Sequence, residues 1–214
     1  MRVMVLGASG LVGGHVLARL LADPAVAQVV APVRRPLGQA HPKLDSPRVD
    51  FERLPADAPW WQVDAAICAL GTTRAQAGSR EAFARVDHDY PLAAARCLRA
   101  HGCPVFVLNS AMGADPGSAI FYNRVKGELE RDLRALGFES LVLVRPGLIG
   151  GKRAQRRPAE QLGQRVLGLL GPVLPRRLRV NPAEAIAAAM VDAALQPVPG
   201  VREIESARLT GQDG

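Results

Sequence analysis

Aromatic side chains are scarce in this sequence, at 4% of 214 residues. Little is available to stack unpaired bases, so a single-stranded nucleic-acid surface built on aromatic platforms is not expected. Cysteine is scarce as well, limited to Cys68, Cys97 and Cys103. An odd number without metal-ligand spacing points to reduced thiols, and neither a disulfide framework nor a bound metal is expected. No apolar run is long enough to span a bilayer, so no membrane partner is expected. The amino terminus does not read as a signal peptide, because glycines and Ser9 interrupt its apolar stretch early. These absences together lead to the expectation of a cytoplasmic protein.

What is present suits one full α/β domain. An apolar fraction of 48% and a length of 214 residues allow a sizeable core, and are too little for two comfortable domains. We expect a single nucleotide-binding domain over 1–214, with a small substrate-side region at about 147–180. The formal charge of +7 lies largely in two clusters, Lys152, Arg153, Arg156 and Arg157, and then Arg176, Arg177 and Arg179. With few aromatics beside them, these read as a solvated or phosphate-facing surface, and nucleic acid is not the expected partner.

The first fifteen residues organise the chain. Arg2 to Leu6 is a short apolar run suited to a buried parallel strand. It leads into Gly7-Ala8-Ser9-Gly10-Leu11-Val12-Gly13-Gly14 and then a helical pattern from Val16. In that context Gly7 allows a tight turn, Gly10 lets a phosphate approach backbone N–H groups, and Gly13 lets the helix pack against the strand. The helix N-terminus then faces a pyrophosphate. The glycines are spaced three and three, unlike the two and three of the common dehydrogenase fingerprint.

A second strand is expected over 27–33, ending at Arg34-Arg35. An acid at this point would suit the ribose 2′-hydroxyl of NAD. It is missing, and two arginines occupy its place, which favours NADP over NAD because a guanidinium forks onto a phosphate. Two solvent-facing loop arginines are the alternative. Residues 36–47 read as loop, 48–51 as a third strand, and Asp50 as either an adenine contact or a loop cap. Strand four is expected over 64–70, with Cys68 facing core or crevice, and Gly71-Thr72 follow at its end. The helical stretch 79–100 contains Pro91, so a kink or two successive helices is expected. A fifth strand over 104–108 ends in Asn109-Ser110-Ala111, and a helix follows over about 120–136. Strand six spans 139–144 and ends at Arg145-Pro146-Gly147. A helix is expected at 156–170, then one capped by Asn181 with Pro182 in its first position, then a last strand over 201–205 and a frayed tail from Thr210. Strand and helix alternate throughout, so the expected fold is a Rossmann-type doubly wound α/β layer structure, with helices on both faces of a mostly parallel sheet.

Tyr122 and Lys126 are four residues apart on a helix and share a face. An ammonium beside a tyrosine hydroxyl stabilises the phenolate, which suits proton transfer to a carbonyl or from an alcohol. Lys126 can also hydrogen-bond a nicotinamide ribose, and Ser110 can hold the same substrate oxygen.

These features resemble the short-chain dehydrogenase/reductase superfamily in its extended and atypical branches. The resemblance rests on Gly7 to Gly13, Ser110, Tyr122 with Lys126, and Arg145-Pro146-Gly147. A longer likeness, to the Tat-interacting oxidoreductase-like proteins, is carried by Leu70 to Arg74 with Ala77-Gly78, Arg85 to Tyr90, and Tyr122 to Glu128. The resemblance implies an NADP(H)-dependent oxidoreductase acting on a small-molecule carbonyl or alcohol. It implies that Gly7, Ser9, Gly10, Leu11, Val12 and Arg34 line the phosphates, with Leu70, Gly71 and Thr72 near the adenosine and ribose. It further implies Tyr122 and Lys126 as the catalytic pair and Pro146-Gly147-Leu148 near the nicotinamide. The helices over 79–100 and 120–136 offer a homodimer face, as the superfamily suggests. Two departures stand out. Many relatives carry consecutive hydroxyl residues after strand five, where this chain has Asn109-Ser110-Ala111; if the catalytic hydroxyl belongs at 111, it is missing. The segment after Arg145 is short and basic, which argues against a large nucleotide-sugar substrate. A protein that senses NADP(H) without turnover is the competing reading.

Overall fold

The computed structural model describes residues 1–150 and 180–210. Among them, a central sheet of seven strands is built from β1 (Arg2–Leu6), β2 (Gln28–Val30), β3 (Leu44–Asp45), β4 (Ala65–Cys68), β5 (Val105–Asn109), β6 (Ser140–Arg145) and β9 (Gly200–Glu205). The short strands β7 (Ile149–Gly150) and β8 (Asn181–Pro182) pair separately. The main order is β3-β2-β1-β4-β5-β6-β9, parallel throughout, so the chain reverses direction of winding between β1 and β4. A ligand crevice belongs at the carboxyl ends of those two strands, because the connections there leave in opposite directions.

Both faces of the central strands β1, β4, β5 and β6 are covered, which is why these are nearly continuous apolar runs, whereas the edge strand β9 carries Arg202, Glu203 and Glu205. Val3 and Val5 of β1 face α1 (Leu11–Ala22) and a helix near the carboxyl end, α6 (Ala183–Leu195), packing with Leu17, Leu20, Ile186 and Met190. Met4 and Leu6 face the other way, toward Trp61, Leu98, Leu129 and Leu133. The last three belong to α4 (Tyr90–Ala100) and α5 (Phe121–Ala135). Cys68 is wholly buried in this second layer, which resolves the choice between core and crevice.

Several local expectations need correction. β2 stops at Val30, short of Val33, because Pro32 has no N–H to continue the ladder. The third strand is Leu44–Asp45, inside the expected loop, where Val29 and Ala31 donate N–H bonds to Lys43 and Asp45. Arg48 forms only an isolated bridge with Val33, and Asp50 caps its loop by accepting from the Glu52 N–H at 3.0 Å. Asn181 does not cap α6. It sits in β8, fully buried, and its side chain bonds elsewhere, leaving Pro182 at the cap. The expected 156–170 helix, both basic clusters and the last four residues of the tail lie outside the described residues.

The stretch containing Pro91 is three pieces. The short helix α3 (Arg80–Ala84) runs into a π-helical turn over Arg85–Asp89, and α4 starts again at Tyr90 with Pro91 in its first turn. Proline fits there because the first N–H groups of a helix have no intrahelical partner. The wide turn carries Asp87 inward, where it is buried to 1% exposure.

Candidate active site

The glycine turn after β1 is built by close contacts. Gly7 adopts a φ of +87°, and a Cβ there would stand 2.7 Å from the Ala69 carbonyl. A Cβ on Gly13 would be 2.1 Å from the Gly7 carbonyl oxygen, so the first turn of α1 rests directly on the loop. Gly10 caps α1 without a side-chain hydrogen bond. The free N–H groups of the next residues therefore point at the crevice with the positive end of the helix dipole behind them.

A cavity beside this turn is lined by Gly7, Ser9, Gly10, Arg34, Leu70 and Gly71, together with Phe51, Val86 and Tyr90. Six of the residues expected from the sequence thus meet in one place. Arg34 is the single charged side chain in the lining; Arg35 is exposed outside it. Leu11, Val12, Gly13 and Thr72 border the cavity without lining it, Val12 being buried in the core. Phe51 and Tyr90 form a tilted aromatic wall with ring centroids 5.7 Å apart, and the Tyr90 hydroxyl donates to Glu52 at 2.5 Å. The sequence reading gives neither aromatic a role in the site: Phe51 is placed in a third strand that does not form there, and Tyr90 enters only as the last residue of the Arg85 to Tyr90 likeness.

Tyr122 is not among the residues lining this cavity; it occupies the first turn of α5, 37% exposed, its ring 5.8 Å from that of Phe83. One turn along, Lys126 is buried, and its Nζ lies 2.8 Å from Asp87 Oδ1. The other Asp87 oxygen accepts the Thr72 N–H at 2.8 Å. Burial works against the Lys126 ammonium. The Asp87 carboxylate, aided by Tyr122, more than offsets this and holds the lysine above its ordinary value. Asp87 was missed as a functional residue, although it lies in the Arg85 to Tyr90 stretch; an isolated aspartate in a helical pattern reads as solvent-facing.

Ser110 is placed differently from expectation. Its hydroxyl is 3% exposed and donates to Glu130 at 2.5 Å. Glu130 in turn holds Arg145 through two bonds of 3.0 and 2.5 Å, and Arg145 reaches Glu203 and Glu205 on β9. The Arg145 guanidinium is held strongly protonated, first by its hydrogen bond to Glu130 and then by the surrounding carboxylates. Ser110 is thus committed to a polar network under α5, and Ala111 next to it is buried.

Pro146-Gly147-Leu148 forms the turn after β6. The Pro146 carbonyl accepts the Met112 N–H at 2.8 Å, and the Gly147 N–H donates to Asn181 Oδ1 at 2.7 Å. Asn181 also bonds Ser206 through both side-chain atoms. Leu148 is half-exposed, as is Met112, and neither lines the cavity. The loop from Met112 lies directly on α5, where a Cβ on Gly127 would come within 2.2 Å of the Asp115 backbone. Among the described residues, no cluster of His, Cys, Asp or Glu is placed to hold a metal, and no helix is long and apolar enough to cross a membrane.

Strand order and the glycine turn define a Rossmann-type doubly wound fold. Solved structures with this fold include UDP-glucuronic acid 4-epimerase from Bacillus cereus in complex with NAD. It superposes with a TM-score of 0.71 at 14% identity, over 96% of this chain and 77% of that one. The PhqB reductase domain from Penicillium fellutanum gives 0.70 at 18% identity, over 95% and 65%. No family model matches the chain. Other relatives are nearer in sequence. The mitochondrial protein fmp52 of Emericella nidulans is 40% identical over 181 residues, covering 80% of this chain and 76% of its own. Protein HTATIP2 of Rattus norvegicus is 36% identical over 206 residues, covering 94% and 84%. The chain belongs to the Fmp52/HTATIP2 family. The expectation of a cytoplasmic protein is overturned by these relatives, since the fungal ones are named as mitochondrial. Absence of a signal-peptide pattern was too weak a basis for a compartment.

Proposed function

We propose that this protein is an NADP(H)-dependent oxidoreductase that moves hydride between the nicotinamide and a small carbonyl or alcohol. The observation that carries this reading is the cavity beside Gly7 to Gly10, whose lining has Arg34 as its one charged side chain and no carboxylate. The residues present fit a dinucleotide. The uncapped end of α1 offers N–H groups to a pyrophosphate, Arg34 offers a fork to a 2′-phosphate, and Phe51 with Tyr90 offers an apolar wall to an adenine. Leu70, Gly71 and Thr72 would border the ribose, and Pro146, Gly147 and Leu148 the nicotinamide; the expected substrate-side region at about 147–180 lies largely outside the described residues.

The cofactor, when bound, supplies or accepts the hydride. The chain supplies orientation and the proton. Tyr122 is the proton donor to a carbonyl oxygen, or the acceptor from an alcohol. Lys126, held still by Asp87, orders the ribose side of the site and places positive charge behind the tyrosine. With its hydrogen committed to Glu130, Ser110 supports α5 from below and leaves the substrate oxygen to Tyr122. Turnover of a carbonyl panel with NADPH tests the reading: Tyr122→Phe should abolish turnover and leave NADPH affinity nearly unchanged. Absence of turnover in the parent protein with every substrate would overturn it.

The commitment of Ser110 and the alanine at 111 favour one second reading, a protein that binds NADP(H) and reports its redox state to a partner. Tight NADPH binding without turnover, unaffected by Tyr122→Phe, with a partner that binds only one redox form, would establish it.

A further inference from the structure

We propose that Asp87 is a positioning residue that sets the ionisation of Tyr122 through Lys126, making the site a three-member chain, Asp87–Lys126–Tyr122. Three observations place it there. The carboxylate and the ammonium are 2.8 Å apart with side-chain exposures of 2% and 4%, so their charges meet with little water to screen them. The second carboxylate oxygen is fixed by the Thr72 N–H, so Asp87 cannot turn away from the lysine. Finally, the π-helical turn over Arg85–Asp89 delivers the side chain inward from a stretch that would otherwise continue a surface helix.

The electrostatic consequence follows from counting charges. Lys126 faces Asp87 from the π-helical turn, Cys68 from β4 and Tyr122 from its own helix. Burial pushes the Cys68 thiol up to about 11, so it is neutral at working pH. The ammonium therefore has two anionic partners available, Asp87 permanently and Tyr122 when it gives up its proton. With Asp87 in place, the lysine charge is already matched, and the phenolate gains less from it. Replacing Asp87 with a neutral isostere leaves a buried ammonium with Tyr122 as its remaining source of negative charge. Gly71 keeps this pair close to the crevice, since a Cβ there would stand 3.3 Å from Asp87 Oδ1 and 4.0 Å from Lys126 Nζ. The inference rests on Tyr122 as the proton donor for its catalytic meaning, while its measurement needs neither cofactor nor substrate.

The chain has two tyrosines, so Tyr90→Phe leaves Tyr122 as the only phenol. Ultraviolet titration of tyrosinate absorbance in that background reads Tyr122 directly. Asp87→Asn should move the transition to lower pH by about one to two units, and Lys126→Met should move it to higher pH by a similar amount. The double variant should return close to the background, because the two charges act on Tyr122 through each other. A role confined to fold stability would lower the melting temperature in both single variants without shifts of opposite sign. Coincident transitions in Asp87→Asn and the background would overturn the proposal. If Asp87→Asn does not fold, the double variant decides, since it strands no buried charge: a transition close to the background is required, and one as high as that of Lys126→Met alone overturns the chain. Turnover and NADPH binding are measured on the same substitutions with Tyr90 retained. An inactive parent with the expected titrations would remove the oxidoreductase reading alone, while an active parent with unmoved titrations would remove this inference alone.

Discussion

Gly13 lies so close beneath Gly7 that a Cβ on Gly13 would stand 2.1 Å from the Gly7 carbonyl oxygen. The helix and the glycine loop are therefore a single packed unit. Gly13→Ala forces them apart, and overpacking of this kind costs about 1–3 kcal/mol. At this chain length that lowers the melting temperature by about 2–4 °C per kcal/mol. Thermal unfolding with and without NADPH checks it, and the variant should also lose most of the cofactor-induced stabilisation. An alanine variant with unchanged melting would show that the loop yields at no cost.

Arg34 projects into the cavity and Arg35 does not. Arg34→Glu should weaken NADPH by about tenfold to a hundredfold, the range of a lost hydrogen bond between charged groups, and leave NADH within a few-fold. Arg35→Glu should change neither by more than a few-fold. Calorimetric titration of both nucleotides reads the difference. Equal losses of NADPH and NADH in Arg34→Glu would mean that this guanidinium does not read the 2′-phosphate.

Arg145 holds Glu130, whose side chain is 4% exposed, and ties α5 to β9 through Glu203. Arg145→Met leaves the Glu130 carboxylate buried without its partner, a loss of about 3 kcal/mol, toward the lower end for buried pairs because Arg145 keeps some contact with water. Adding Glu130→Gln should restore part of the loss, because the stranded charge is then gone. Chemical denaturation of the single and double variants measures this. A double variant less stable than Arg145→Met would contradict the network.

Burial pushes the thiols of Cys68 and Cys103 up to about 11, from an ordinary value of 9.0. The folded chain therefore keeps protons that the unfolded chain releases between about pH 9 and 11. Their contribution to stability is full below pH 9 and is lost as pH rises toward 11. Melting temperature should fall over that window, and Cys68→Ala with Cys103→Ala should flatten the fall. At pH 8 a thiol reagent should modify half-buried Cys97 first, and Cys68 and Cys103 only on unfolding.

The sequence by itself determined the fold class and picked out the glycine turn and Arg34, which meet in one cavity. The apolar run before Gly7, the helix pattern after it and the alternation of strand and helix are local signals, and each is backed by backbone sterics. Gly7 and Gly13 could be assigned roles because only glycine tolerates such close approach. Tyr122 and Lys126 could be paired because helical spacing is fixed. Tertiary structure decided what spacing does not encode. Asp87 and Lys126 are far apart in sequence and meet only because a π-helical turn rotates one toward the other. The Ser110 hydroxyl could have faced the crevice or the helix beneath, and Glu130, a full helix turn past Lys126, decided the matter by taking its hydrogen bond. Asn181 looked like a helix cap in sequence. It became the tie between Gly147 and Ser206 because burying an amide requires every one of its polar atoms to find a partner, and those partners were brought by the sheet edge.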